Sequence, residues 1–125
     1  MVHTLLVALG GGLGAALRHL TNLAAFRLLG PNFPFGTLAV NVIGSFLMGV
    51  LVEVVARRFG ASVELRLFLA TGVLGGYTTF SAFSLDTIVL WERGAPGLAV
   101  AYVGLSVLLS LAAIIGGLWL ARTVF

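Results

Sequence analysis

Four stretches of this chain, at about residues 3–29, 35–56, 64–91 and 97–121, are each long enough and apolar enough to cross a lipid bilayer. Short breakers separate them: Gly30-Pro31-Asn32-Phe33-Pro34, then Arg57-Arg58-Phe59-Gly60, then Glu92-Arg93-Gly94-Ala95-Pro96, with Arg122 closing the last stretch. A hydrocarbon core about 30 Å thick takes roughly 20 apolar residues as a helix, because lipid offers no partner to an unpaired backbone N–H or C=O. Connections this short set consecutive helices side by side and antiparallel. The pattern predicts an all-α membrane protein, one four-helix domain over residues 1–125 without a linker. No Lys or Arg precedes the first apolar run, which is read as a membrane helix rather than a cleavable signal.

Charge usage agrees. Charged residues make up 9% of the chain, against roughly a quarter in a soluble domain, so a water-facing surface cannot be built. All seven basic residues are Arg. The net charge of +3 invites a nucleic-acid reading, but the arginines form no stripe and most stand where apolar stretches end, as headgroup anchors do. The chain has no cysteine, which excludes disulfides and thiolate chemistry. His3 and His19 lack the spacing and acidic company of a metal site. No nucleophile–base set or phosphate loop is present, so the chain does not read as an enzyme. With both termini on one side, Arg57, Arg58, Arg66 and Arg122 share that side and Arg27 and Arg93 lie opposite. Such a weak bias permits insertion in both orientations.

Small and polar residues inside the spans are the next signal. Gly10 with Gly14, and Gly72 with Gly76, form small-xxx-small pairs that let helix backbones approach closely in lipid. A thin glycine-rich bundle leaves room only for a narrow path and a small, largely dehydrated solute. The third span reads Thr71-Gly72-Val73-Leu74-Gly75-Gly76-Tyr77-Thr78-Thr79-Phe80-Ser81-Ala82-Phe83-Ser84. Adjacent glycines followed by β-branched threonines make a poor helix centre, and a break is expected there. It would free backbone groups at mid-membrane, a recurrent device for ion sites. The alternative is a continuous helix whose glycines only pack.

Phe80 and Phe83, at i and i+3, share a helix face. Their positive ring edges can line an anion path without a fixed charge, though by spacing alone two phenylalanines in a membrane helix more often face lipid or pack. Asn41, inside the second span, needs a partner: a neighbouring helix or a passing anion. Tyr102, Ser106 and Ser110 repeat every four residues and draw a polar stripe along the fourth span, suited to an anion or to helix–helix hydrogen bonds. Arg18 lies midway along the first span, where facing lipid would be expensive. Asp86 is the one acid well inside the third.

These motifs resemble the Fluc (CrcB) fluoride channels. The resemblance is carried by Gly11-Gly12-Leu13-Gly14-Ala15-Ala16-Leu17-Arg18, by Gly36-Thr37-Leu38-Ala39-Val40-Asn41-Val42-Ile43-Gly44-Ser45 and by the run from Gly72 to Ser84. With length and four-span layout it covers nearly the whole chain. It implies an antiparallel, dual-topology homodimer in the bacterial inner membrane, passively exporting fluoride that enters as HF and ionises in the cytoplasm. It assigns the pore to Asn41, Phe80 and Phe83 and the polar track to Tyr102, Ser106 and Ser110, with Arg18 as a structural residue. It also implies a central structural sodium ion held by the backbone carbonyls of Gly75 and Thr78 from both subunits. Where some members carry Glu after the second phenylalanine, this chain has Asp86, which receives no pore role.

Two other readings compete. A small multidrug-type, proton-coupled transporter needs a membrane-embedded acid, yet the first span has none and Glu53 lies near the end of the second. A non-transporting membrane scaffold would use Asn41 and the 102–110 stripe only to join helices.

Overall fold

The computed structural model describes residues Met1–Phe125. It is all-helical, with four helices of membrane-spanning length: α1 (Val2–Leu29), α2 (Phe35–Arg58), α3 (Val63–Glu92) and α4 (Pro96–Val124). At about 1.5 Å per residue even α2, with 24 residues, outreaches a hydrocarbon core of about 30 Å. The helices therefore run one to three residues past most ends of the apolar stretches. Arg57 and Arg122 stay helical there paired with Glu53, and Arg58 and Glu92 are exposed, at helix ends where headgroups and water can meet a charge.

Local chemistry sets the ends. Gly30 stops α1 at φ +81°, a backbone state open to glycine at little cost. The Ser62 hydroxyl caps α3 by accepting the Leu65 N–H at 3.2 Å. Pro96, which has no N–H to lose, opens α4.

α3 is the irregular element. After one α-turn at Val63–Arg66, the segment Leu67–Leu74 is π-helical, and Gly75–Tyr77 returns to α geometry. Thr78 (φ −86°, ψ 158°) and Thr79 (φ −154°, ψ 122°) then take extended dihedrals, so α3 bends before helical geometry resumes at Phe80–Glu92. Two β-branched residues following two glycines carry the weakest helical preference in the span.

Packing follows the small residues. The N-terminal half of α3 lies against α1 with backbones nearly touching: a Cβ added to Gly10 would come 3.0 Å from Gly72 Cα, and one added to Gly76 would come 3.0 Å from Gly11 Cα. α2 and α4 meet in the same way, since a Cβ on Gly49 would come 2.9 Å from the Leu118 N and one on Gly117 would come 3.1 Å from the Val50 N. At their ends Glu53 joins them, 3.2 Å from Arg57 and 2.9 Å from Arg122. A small apolar core of Leu90, Ala99 and Tyr102, flanked by Phe33, Leu38 and Phe83, fills the opposite end. Only 17 of 125 residues are buried, so most of the apolar surface of the single chain faces outward, as expected where lipid is the solvent. The chain is a multi-pass membrane protein.

Candidate functional site

The bend in α3 opens onto a cleft of about 400 Å³ between α2, α3 and α4, lined by Asn41, Thr79, Phe80, Phe83, Ser106 and Ser110 among others. Extended backbone at Thr79 cannot satisfy itself, and Asn41 does so from α2. Its Oδ1 accepts the Thr79 N–H at 2.8 Å, and its Nδ2 donates to the Thr79 C=O at 3.1 Å. The side-chain amide thus replaces one step of the helical ladder. An asparagine amide carries two N–H donors, so one remains uncommitted at the cleft wall.

Thr79 also caps the helix that follows, its Oγ1 accepting the Ala82 N–H at 3.1 Å. These two bonds redirect the backbone of the bend. In a regular helix the Thr79 N–H would serve the Gly75 C=O, and the Ala82 N–H would serve the Thr78 C=O. Asn41 and the Thr79 hydroxyl take both donors, which releases the Gly75 and Thr78 carbonyls from the ladder.

Phe80 and Phe83 stand one above the other, ring centroids 5.4 Å apart and planes tilted by 53°. Phe83 is half-buried, whereas Phe80 is 78% exposed within the single chain. On α4 the hydroxyls of Ser106 and Ser110 are buried and make no protein hydrogen bond. Buried polar atoms are nearly always paired, so two orphans one helical turn apart, in the wall of one cleft, are where a polar solute is most readily received. No charged side chain lines this cleft. Its polar groups are an amide and hydroxyls beside two phenyl rings, a set that suits a small anion and holds it weakly.

Tyr102 is placed differently from the two serines. It is fully buried, with its ring 5.3 Å from Phe83 and edge-on to Phe33 at 5.5 Å. Its hydroxyl donates to Asp86 Oδ2 at 3.1 Å. Asp86 in turn borders a second cavity of about 420 Å³ that includes Thr37 and Arg93. Tyr102 therefore touches Phe83 of the cleft and both Phe33 and Asp86 of the second cavity. The stripe expected on α4 is brought together, but only Ser106 and Ser110 face the cleft. Arg18 is half-buried and makes no protein hydrogen bond or ion pair. Glu53 is held between two arginines, which ties up the acid a proton-coupled exchanger would need.

Two participants have no role in the sequence reading. Thr79 is the partner of Asn41, and the available signal was the amide itself, which asks for one donor and one acceptor together. Asp86 is the partner of Tyr102, sixteen positions apart on a different helix, and no sequence periodicity links them.

Four membrane-crossing helices, three of which wall an uncharged cleft with amide and hydroxyl groups, define a membrane protein built to pass or hold a small solute. The chain belongs to the CrcB family: the profile described as CrcB-like protein, Camphor Resistance (CrcB), matches residues 5–118. Among its relatives, a Chelativorans protein is 63% identical over 124 residues, with 99% of each chain covered. One from Agrobacterium fabrum is 58% identical over 125 residues and covers all of both chains. One from Mesorhizobium japonicum is 57% identical over 123 residues, with 98% of each covered. All three are named fluoride-specific ion channel FluC.

Proposed function

We propose that this protein is a fluoride channel that lets the ion leave the cell passively, working as an antiparallel, dual-topology homodimer in the bacterial inner membrane. The observation that carries the reading is the pair of buried, unpartnered hydroxyls of Ser106 and Ser110, facing Asn41 and the phenyl rings across one cleft. Relatives at about 60% identity, all named fluoride-specific channels, support the same ion.

Fluoride is small and strongly hydrated, so a path must replace its water with donors or it will not enter. Two serine hydroxyls and the free amide N–H of Asn41 supply donors in sequence. The edges of Phe80 and Phe83 bridge the stretches between them. No fixed positive charge holds the ion, so it can leave. Tyr102 belongs to the track through Phe83, with its hydroxyl directed to Asp86.

The exposure of Phe80, 78% in one chain although it lines the cleft, supports a second copy as the missing wall. The redirected carbonyls of Gly75 and Thr78 fit a hard cation such as sodium, which takes oxygen ligands. Two carbonyls are too few for such an ion, and a partner related by a two-fold axis would double them. Bound there, sodium would join the two bends and satisfy carbonyls at mid-membrane depth.

Fluoride efflux from proteoliposomes of the purified protein tests the reading, with chloride as control and Phe80→Ile and Asn41→Asp alongside. Fast fluoride efflux that needs no proton gradient, little chloride flux and loss in both variants is the expected result. A folded protein that passes no fluoride would return the scaffold reading.

A further inference from the structure

Tyr77 immediately precedes the extended pair Thr78–Thr79, so α3 carries a phenol at mid-membrane, where an unpaired hydroxyl is costly. Its Oη lies 2.9 Å from Thr21 Oγ1 on α1. Thr21 has a single hydroxyl proton, which goes to the Leu17 C=O at 3.0 Å. The direction of the other bond follows: Tyr77 donates and Thr21 accepts. A short relay therefore runs from the phenol through the threonine hydroxyl to the α1 backbone.

Tyr77 is held on two further sides. A Cβ added to Gly14 of α1 would come 2.8 Å from the Tyr77 backbone N, and one added to Gly44 of α2 would come 3.4 Å from Tyr77 Cδ2. Backbone, ring and hydroxyl are thus each fixed by a neighbouring helix. Beyond Tyr77 the chain has left helical geometry, and the Thr79 peptide hangs from Asn41 alone. Tyr77 lines neither the Asn41 cleft nor the cavity beside Asp86.

We propose that Tyr77 is a positioning residue: its relay to Thr21 anchors the near side of the α3 bend to α1 and so sets where the Thr79 peptide and the Phe80 ring stand in the cleft. The flux consequence rests on the fluoride-channel reading; the anchoring does not.

Two readouts on Tyr77→Phe, Thr21→Val, their combination and Thr21→Ser separate these parts. Amide hydrogen exchange in lipid nanodiscs reports the bend. Losing one such bond is expected to speed exchange at the Thr79 and Ala82 amides, the two bonded N–H groups of the bend, by roughly threefold to tenfold in either single variant, on the scale of a single net hydrogen bond. The combination should go no further, because both substitutions remove the same bond. Thr21→Ser keeps the acceptor and should behave as the unaltered protein. Unitary fluoride conductance in planar bilayers is expected to fall severalfold in Tyr77→Phe and Thr21→Val and to hold in Thr21→Ser. Exchange that is unchanged, or that adds in the combination, would overturn the relay. Faster exchange with full unitary conductance would overturn its role in the pathway, leaving a purely structural bond. If the unaltered protein passes no fluoride, the channel reading fails, and the exchange experiment still decides the relay.

Discussion

At Ser106 a hydroxyl is buried with no protein partner, while at Asn41 every bond made within the chain serves one residue, Thr79. The two residues line the same cleft yet should respond oppositely to truncation. Removing a hydroxyl that the fold does not use costs the fold little, so Ser106→Ala should leave thermal stability in detergent unchanged or slightly raised. If that hydroxyl instead bonds an anion in transit, fluoride efflux should fall, by roughly tenfold or more for a bond to a charged group. Asn41→Ala strips both the N–H and the C=O of Thr79 of their partner. Each unsatisfied buried group costs about 1–3 kcal/mol, so this variant should be clearly destabilised as well as inactive. Equal stability losses at the two positions would mean that Ser106 has a structural partner, and the pathway would then lose its best witness.

Between elements, backbone contact does the work that side chains do in a soluble core. α1 meets α3 at Gly10 and Gly14, where an added Cβ would strike the backbone of Phe68 and of Val73. Gly12, on the same helix, has nothing within 4 Å of such a Cβ. Gly14→Ala should therefore push α1 off α3 and cost about 1–3 kcal/mol, the scale of overpacking. Gly12→Ala should gain up to about 1 kcal/mol from helix propensity. Thermal unfolding of the two variants in one detergent checks both signs. A loss at Gly12 would place that face against another chain. The elements were legible to unequal degrees, for physical reasons. Hydropathy located all four spans, since lipid forces each to be apolar throughout, and the small-xxx-small pairs marked the α1–α3 seam. The π-helical turns from Leu67 to Leu74 were not legible, because Leu-Phe-Leu-Ala has no polar face from which a pitch could be read. The weak helix centre from Gly75 to Thr79 marked where α3 bends. It did not reveal that Asn41 would take the Thr79 N–H, because an amide in a membrane helix asks for a partner without naming it. Likewise the α4 stripe gave Tyr102, Ser106 and Ser110 as one set, and only packing against Phe33 and Phe83 turned the tyrosine toward Asp86.

For the whole molecule, the strongest demand comes from the distribution of charge and from a cleft left open beside Phe80. One end carries Arg57, Arg58, Arg66 and Arg122, the other Arg27 and Arg93, and Glu53 already engages Arg57 and Arg122. Orientation follows Lys and Arg counts in short flanking segments, so small changes should lock the chain one way. Arg27→Gln with Thr123→Lys strengthens the end that holds the termini. Arg58→Gln and Arg66→Gln with Asn32→Lys, Glu92→Lys and Gly97→Lys strengthen the opposite end, leaving Arg57 and Arg122 against five basic residues there. None of these positions lines the Asn41 cleft. The chain has no cysteine, so one introduced at an exposed end is the sole thiol, and its labelling from either side of the membrane reports the orientation directly. If the working unit is antiparallel, each locked variant expressed alone should fail to protect a fluoride-sensitive bacterium. The two expressed together should restore protection, because each supplies the orientation the other lacks. Full protection by either variant alone, with labelling showing a single orientation, would rule out the antiparallel dimer. It would then require the wall beside Phe80 to come from a parallel partner or from lipid.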